Sequence, residues 1–241
     1  MLVKSRIKYI QSLGQKKFRD QSGCFIAEGP KIVQELLEAG LVKEVYGLQE
    51  WIMENSQLLT GIESHEITEQ ELEKISQVKT PNKVLALLNQ FSAQEPEVTN
   101  KLILALCGIQ DPGNLGTIIR IADWFGVEQV VCSEDTVDVY NPKVVQSTMG
   151  SIARVKVLYK NLEDWLDSLT ETTVYATVLE GADIRTIKKP VKGIILVGNE
   201  SQGIPESLLA KANMRITIPR KGGAESLNAG VATGIVLSHL T

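Results

Sequence analysis

Two histidines (His65 and His239) and three cysteines (Cys24, Cys107 and Cys132) are all the imidazole and thiol groups that the 241 residues contain. The cysteines lie 83 and 25 positions apart, so there is no CxxC pair, disulfide framework or thiolate zinc site, and neither histidine is close to a cysteine or to the other histidine. Metal chemistry and a Ser/His or Cys/His catalytic pair are therefore not expected, and the cysteines read as small buried hydrophobes. Long apolar runs are missing too. The longest, Leu102 to Cys107, has six residues, against the roughly 20 of a membrane span. Charges within Met1 to Ile10 stand where a secretion signal would have its apolar core. A cytoplasmic location without a membrane partner is expected. The phosphate-binding patterns GxGxxG and GxxxxGK(S/T) are both absent, so neither a usual dinucleotide fingerprint nor a P-loop is supported.

What is present describes an ordinary globular chain, with 43% hydrophobic residues and a mean hydropathy near zero, long enough for one or two domains. The net charge of −4 argues against a general nucleic-acid coat. It is unevenly spread. Lys4, Arg6, Lys8, Lys16, Lys17 and Arg19 fall in the first 19 residues with no acid among them, leaving −10 for the rest. Such a segment is either a solvated helix face or an arm that contacts phosphates, and the interleaved Tyr9 and Phe18 suit the arm.

The stretch Gln90 to Asn100 breaks every hydrophobic period and carries Pro96 between two acids, which suits an exposed linker. The expected division is 1–90, a linker at 91–100, and 101–241. The first part reads as a small α/β unit: an amphipathic N-terminal helix, strands at Cys24–Ala27, Glu44–Gly47 and Val84–Leu88, a helix near Lys31–Glu38, and another opened by the capping box Thr68 to Glu71. In the second part, apolar runs at Leu102–Cys107, Val127–Cys132, Ala153–Leu158, Val174–Val178, Ile194–Val197 and Arg215–Ile218 alternate with helical stretches. Unbroken hydrophobic strands separated by helices imply an α/β fold, a mostly parallel sheet with helices on both faces. Ligands of such sheets bind beyond the carboxyl ends of the strands.

Three turns at those ends are unusual. Gly108 to Gly116 follows a strand and opens a helix carrying Arg120; Asp111 or Asn114 can cap that helix, but capping does not explain Arg120 within Ile118-Ile-Arg-Ile-Ala122. Gly198 to Gly203 sets three polar residues between two glycines, a turn able to hold a polar ligand by its backbone. Ile218 to Asn228 leads into the closing helix, with Ser226 or Asn228 as a natural cap.

The strings DPGNLGTIIRIADWFG, LVGNESQGI and IPRKGGAESLNAGVATGIVL, in this order, resemble the three signature motifs of the SpoU (TrmH-like) branch of the SPOUT RNA methyltransferases. Asn141 to Ile152 is similar to the family's intervening text. Lys16-Lys-Phe-Arg19 and Phe25-Ile-Ala-Glu-Gly29 resemble the L30e-like substrate-binding domain that precedes the catalytic domain in many members.

The resemblance implies transfer of a methyl group from S-adenosylmethionine to a ribose 2′-hydroxyl of ribosomal or transfer RNA, ribosomal RNA being favoured. It also implies a C-terminal trefoil knot and a homodimer with the active site at the subunit interface. Motif positions assign the cofactor to Gly198, Ile218 and Leu227, with Thr177 and Leu179 at an adjacent strand end, and the reacting centre to Asn114, Arg120, Glu200, Ser226 and Asn228. Lys16, Lys17 and Arg19 become the candidate RNA contacts. A guanidinium is a poor base, so Arg120 is expected to clamp phosphate or ribose and to stabilise developing alkoxide charge, and the base stays open among Arg120, Glu200 and an RNA phosphate. An RNA- or ribosome-binding assembly factor that keeps the cofactor fold without turnover is the alternative function, and base rather than ribose methylation the alternative chemistry.

Overall fold

A computed structural model of the chain describes residues 2–92, 95–98, 101–199 and 201–241. Its contacts divide into two compact units, Met1–Ser92 with Asp138–Ala153, and Ala93–Val137 with Arg154–Thr241. The first of these divisions falls in the expected linker. The segment 138–153, which from sequence falls inside 101–241, packs instead with the first unit.

The first unit contains α1 (Lys4–Ser12), α2 (Lys16–Ser22), β1 (Cys24–Glu28), α3 (Pro30–Glu38), β2 (Val42–Gly47), α4 (Gln49–Glu54), β3 (Glu63–Glu66), α5 (Glu69–Ile75) and β4 (Val84–Asn89). Its sheet runs β1-β4-β2-β3, antiparallel except for the β2/β3 edge pair. The expected single N-terminal helix is broken at Leu13–Gln15 into α1 and α2. The Thr68 capping box forms: Thr68 Oγ1 accepts the Glu71 N–H, and the Glu71 carboxylate accepts the Thr68 N–H. One sheet face buries Ile26, Leu85 and Leu87 with Ile10, Leu13, Leu72 and Ile75. The segment from 138 adds a further helix, numbered α7 below, whose Tyr140 ring lies 4.7 Å from that of Phe25.

The second unit contains β5 (Leu102–Leu106), α6 (Pro112–Trp124) and β6 (Gln129–Ser133); after α7 (Pro142–Thr148) come β7 (Lys156–Lys160), α8 (Leu162–Asp167), β8 (Val174–Asp183), β9 (Gly193–Val197), α9 (Glu206–Leu209), β10 (Met214–Thr217) and α10 (Ala229–Leu240). Its six strands pair in parallel in the order β10-β8-β9-β5-β6-β7. All six expected strands form, with shifted ends. Side chains alternate across a strand, and in β5 both sets are buried: Ile103 and Ala105 join a core with Trp165, Leu166 and Leu208 from α8 and α9, while Leu104 and Leu106 are buried on the opposite face. That is why these strands read as unbroken apolar runs.

The strand order makes the site. β5 lies between β9 and β6, so the chain leaves it in one direction for β6 and, later, fills the other side with β9, β8 and β10. The carboxyl ends of β5, β8, β9 and β10 therefore share one edge of the sheet, where the turns of neighbouring strands can meet.

Candidate active site

At this edge lies a cavity of about 830 Å³, lined by the ends of β8 and β10, the turn after β9, the 218–227 loop and the first turns of α10. Thr177, Leu179, Gly198, Ile218 and Leu227 all line it, as does Ser226. The walls mix apolar side chains such as Val197, Ile204, Ile216 and Val236 with the backbone of two turns and the carboxylates of Glu180 and Glu225, the composition expected of a small-molecule pocket.

The turn after β9 is closed on itself. Asn199 and Gly203 exchange backbone hydrogen bonds of 3.2 and 2.8 Å. Asn199 Oδ1 accepts the N–H groups of Ser201 and Gln202, and its Nδ2 donates to the Gly108 carbonyl across 2.6 Å. Gly198 must be glycine, because a Cβ there would lie 2.4 Å from the Gly203 carbonyl carbon. The loop after β10 is braced by Arg220, whose Nη1 donates to the Ala224 carbonyl at 3.1 Å. Thr177 donates to the Leu196 carbonyl (3.0 Å), tying β8 to β9 below the pocket.

Helix α6 starts at the same edge. Asp111 is its cap, accepting the Asn114 N–H at 2.8 Å, so the side chain of Asn114 is not spent on capping. It accepts instead from Asn228, whose Nδ2 lies 2.8 Å from Asn114 Oδ1. Asn228 also caps α10 through Oδ1, which accepts the N–H groups of Gly230 and Val231. Asn114 and Asn228, 114 residues apart, thus meet as a pair.

Arg120 is exposed and does not line the cavity. Six residues along an α-helix place it about 120° around α6 from Asn114 and about 9 Å further on. Glu200 lies outside the described residues. Of the candidate RNA contacts, Lys16 and Lys17 are exposed on α2. Arg19 is a correction: it is only 2% exposed, its Nη2 and Nε lie 2.5 and 3.1 Å from Asp138 Oδ2, and its Nη1 donates to the Leu13 carbonyl. A buried guanidinium already paired with a carboxylate is a packing element of the first unit and is not available to a phosphate. The partner is 119 residues away, beyond what local charge patterning reveals.

Sequence reasoning missed Asn199 and Gly108 as individual residues. The signal was present in the composition of their turns, but the bond that joins two turns is tertiary. The thiol of Cys107, at the end of β5, is pushed up to about 11 by burial and by the carboxylates of Asp135 and Glu163, so it is no nucleophile at neutral pH.

With this geometry in hand, comparison with known proteins is specific. The sequence profile of the SpoU rRNA methylase family matches residues 101–238. The chain belongs to that family. An MRM3-like substrate-binding domain matches residues 4–86. Over 239 residues, 98% of this chain and 95% of the relative, the SpoU-family chain is 34% identical to a 23S rRNA (guanosine(2553)-2′-O)-methyltransferase, RlmP, of Bacillus subtilis. An AdoMet-bound rRNA methyltransferase from Sinorhizobium meliloti superposes with a TM-score of 0.88 at 32% identity, covering 100% of this chain and 95% of that one. The SpoU methyltransferase AviRb of Streptomyces viridochromogenes in complex with AdoMet shares the fold, with a TM-score of 0.87 at 24% identity over 99% and 97% of the two chains.

Proposed function

We propose that this chain methylates a ribose 2′-hydroxyl of ribosomal RNA with S-adenosylmethionine as donor. The observation that carries the reading is the convergence of the 198–203 turn, the 218–227 loop and the Asn114–Asn228 pair at one edge of the parallel sheet. The cavity fits the donor: it has apolar walls for a flat base, the backbone of a turn that Gly198 lets close tightly on Gly203, and two acidic residues that suit a cation. Thr177, Leu179, Gly198, Ile218 and Leu227 would hold it. When bound, the group supplies an electrophilic methyl on a sulfonium, and in-line displacement by a sugar oxygen requires no metal.

The protein's own part is alignment and charge. The Asn114–Asn228 pair and Ser226 stand at the reacting centre, and the fixed charge of Arg120 holds a phosphate or ribose and stabilises the oxygen as its proton leaves. Glu200 or an RNA phosphate remains open beside Arg120 as the acceptor of that proton. Arg120 points away from its own chain's Asn114, which supports an active site completed by a second copy. Trp124 at the end of α6 is 85% exposed and Val231 at the start of α10 52%, apolar groups that the partner of a homodimer would cover. The C-terminal trefoil knot belongs to the same reading. So does docking of RNA by Lys16 and Lys17 on the first unit. Among the described residues no helix is long and apolar enough to cross a membrane, in keeping with action on cytoplasmic ribosomal RNA.

The test is transfer of a tritiated methyl group to ribosomal RNA, followed by mapping of the methylated ribose. Arg120→Ala is expected to abolish transfer while leaving S-adenosylmethionine affinity within a few-fold. Retained turnover would remove Arg120 from the mechanism, and a labelled base would overturn ribose as the acceptor.

A further inference from the structure

The turn that launches α6 is held from two sides. On one side Asn199 donates to the Gly108 carbonyl. On the other, the Gly108 N–H donates to Ser133 Oγ across 2.8 Å, and Ser133 Oγ donates to Asp135 Oδ1 across 2.5 Å. Ser133 Oγ also lies 3.1 Å from Thr136 Oγ1. A hydroxyl has one proton to give and two lone pairs to receive with, so with Thr136 as donor every position on Ser133 is used. Two more bonds run between the same turns: Gln110 Nε2 donates to the Asp135 carbonyl (2.5 Å), and the Val137 N–H to the Ile109 carbonyl (2.9 Å). Gly108 itself sits at φ +64°, and a Cβ there would lie 3.1 Å from Asp135 Oδ2.

None of Gly108, Ser133 and Asp135 lines the cavity. They fix the start of the segment that leads, through the Asp111 cap, to Asn114 and Arg120. We infer that Ser133 and Asp135 are positioning residues for the methyl-transfer step: they clamp the Gly108 turn so that the start of α6 presents Asn114 to the reacting ribose, without contributing to cofactor binding. The clamp carries a direction of effect. Loosening it leaves the 198–203 and 218–227 loops in place but misaligns the group acting on the sugar, and a misplacement of about 1 Å is worth as much as 100-fold in rate.

This inference rests on the methyltransferase reading above. The experiment compares wild type, Ser133→Ala, Ser133→Thr and Asp135→Ala in steady-state methyl transfer to ribosomal RNA, with S-adenosylmethionine affinity measured separately by calorimetry. Ser133→Ala and Asp135→Ala are expected to lower kcat about ten- to 100-fold, with cofactor affinity within twofold of wild type, and Ser133→Thr, which keeps the hydroxyl, to recover most of the rate. Unchanged kcat in the two alanine variants would overturn the assignment. So would a parallel loss of cofactor affinity, which would make the cluster a general support of the unit, or failure of threonine to rescue. If wild type itself transfers no methyl group to RNA, it is the functional reading that fails, and calorimetry alone then shows whether the cofactor site stands.

Discussion

Gly198→Ala tests the cofactor cradle directly. The added Cβ would meet the Gly203 carbonyl carbon at 2.4 Å, its oxygen at 2.6 Å and the Ile204 nitrogen at 2.7 Å, where ordinary contact begins at 3.4 Å. All three are backbone atoms, so no rotamer change relieves the clash and the chain at 203–204 must retreat by about 1 Å. That retreat breaks the two backbone bonds between Asn199 and Gly203. At about 1 kcal/mol net for each, the turn loses about 2 kcal/mol, which converts to roughly 30-fold in affinity if the bound state needs the closed turn. Titration calorimetry with S-adenosylmethionine reads this, with Gly223→Ala as control, since a Cβ there meets open space. The expected result is about 30-fold weaker binding for Gly198→Ala and a change within twofold for Gly223→Ala, circular dichroism being native for both. Wild-type affinity in a folded Gly198→Ala protein would refute the cradle.

The cations of α2 divide into two kinds. Neutralising Lys16 and Lys17 together is expected to weaken RNA binding and reduce the slope of log affinity against log salt by up to about 2, whereas Arg19→Met is expected to unfold the first unit more easily, by about 3–5 kcal/mol in denaturant titration, because it strands the Asp138 carboxylate; an unchanged salt slope in the first case, or wild-type stability in the second, counts against the division. Glu28 gives a pH signature. Burial pushes its carboxyl above the usual range, only partly opposed by hydrogen bonds from Ser76 Oγ and the Gln77 N–H. A raised folded-state value contributes stability that is fully present below the unfolded pKa of about 4.3 and is lost as pH rises through the higher folded value. Glu28→Gln is therefore expected to remove that part of the decline in melting temperature between about pH 4 and neutrality, and an identical pH profile in the two proteins would show that the group does not titrate abnormally.

The fold was legible where periodicity carried it. β5, β6 and β9 are buried on both faces, so their hydrophobic runs announced a covered parallel sheet, and the Thr68 capping box was readable because all its bonds are local. β3 was not legible. Glu63-Ser-His-Glu66 has no apolar residue, and it becomes a strand only because β2 offers an edge to pair with. The break between α1 and α2 does have a local sign: the three-residue spacing Ile7, Ile10, Leu13 stops at Gly14, and the next apolar residue is Phe18. The placement of 138–153 was out of reach: Asn141-Pro142 declares a helix start, but nothing local says that Tyr140 packs on Phe25 or that Asp138 neutralises Arg19. In the candidate site, glycine and polar composition singled out turns of which two, 198–203 and 218–227, line the cavity, while the bonds between turns depend on strand order, which a single sequence does not print.

Asn228 shows why capping and chemistry are not rival accounts of one residue. α10 approaches α6 closely where it carries glycine at 230, since a Cβ there would come within 3.1 Å of Thr117 Cγ2. That approach brings the first residue before α10 against the first turn of α6. Aspartate, serine or asparagine at this position would each supply the oxygen that caps the helix. Of the three, asparagine alone caps through its carboxamide oxygen while keeping an N–H group that can donate to Asn114. The same division holds at the other helix, where Asp111 takes the cap and the Asn114 Oδ1 accepts from Asn228. Two helix starts, each capped by a side-chain oxygen, therefore still meet through an amide pair, and it is the residue type chosen for the α10 cap that makes the Asn228–Asn114 bond possible.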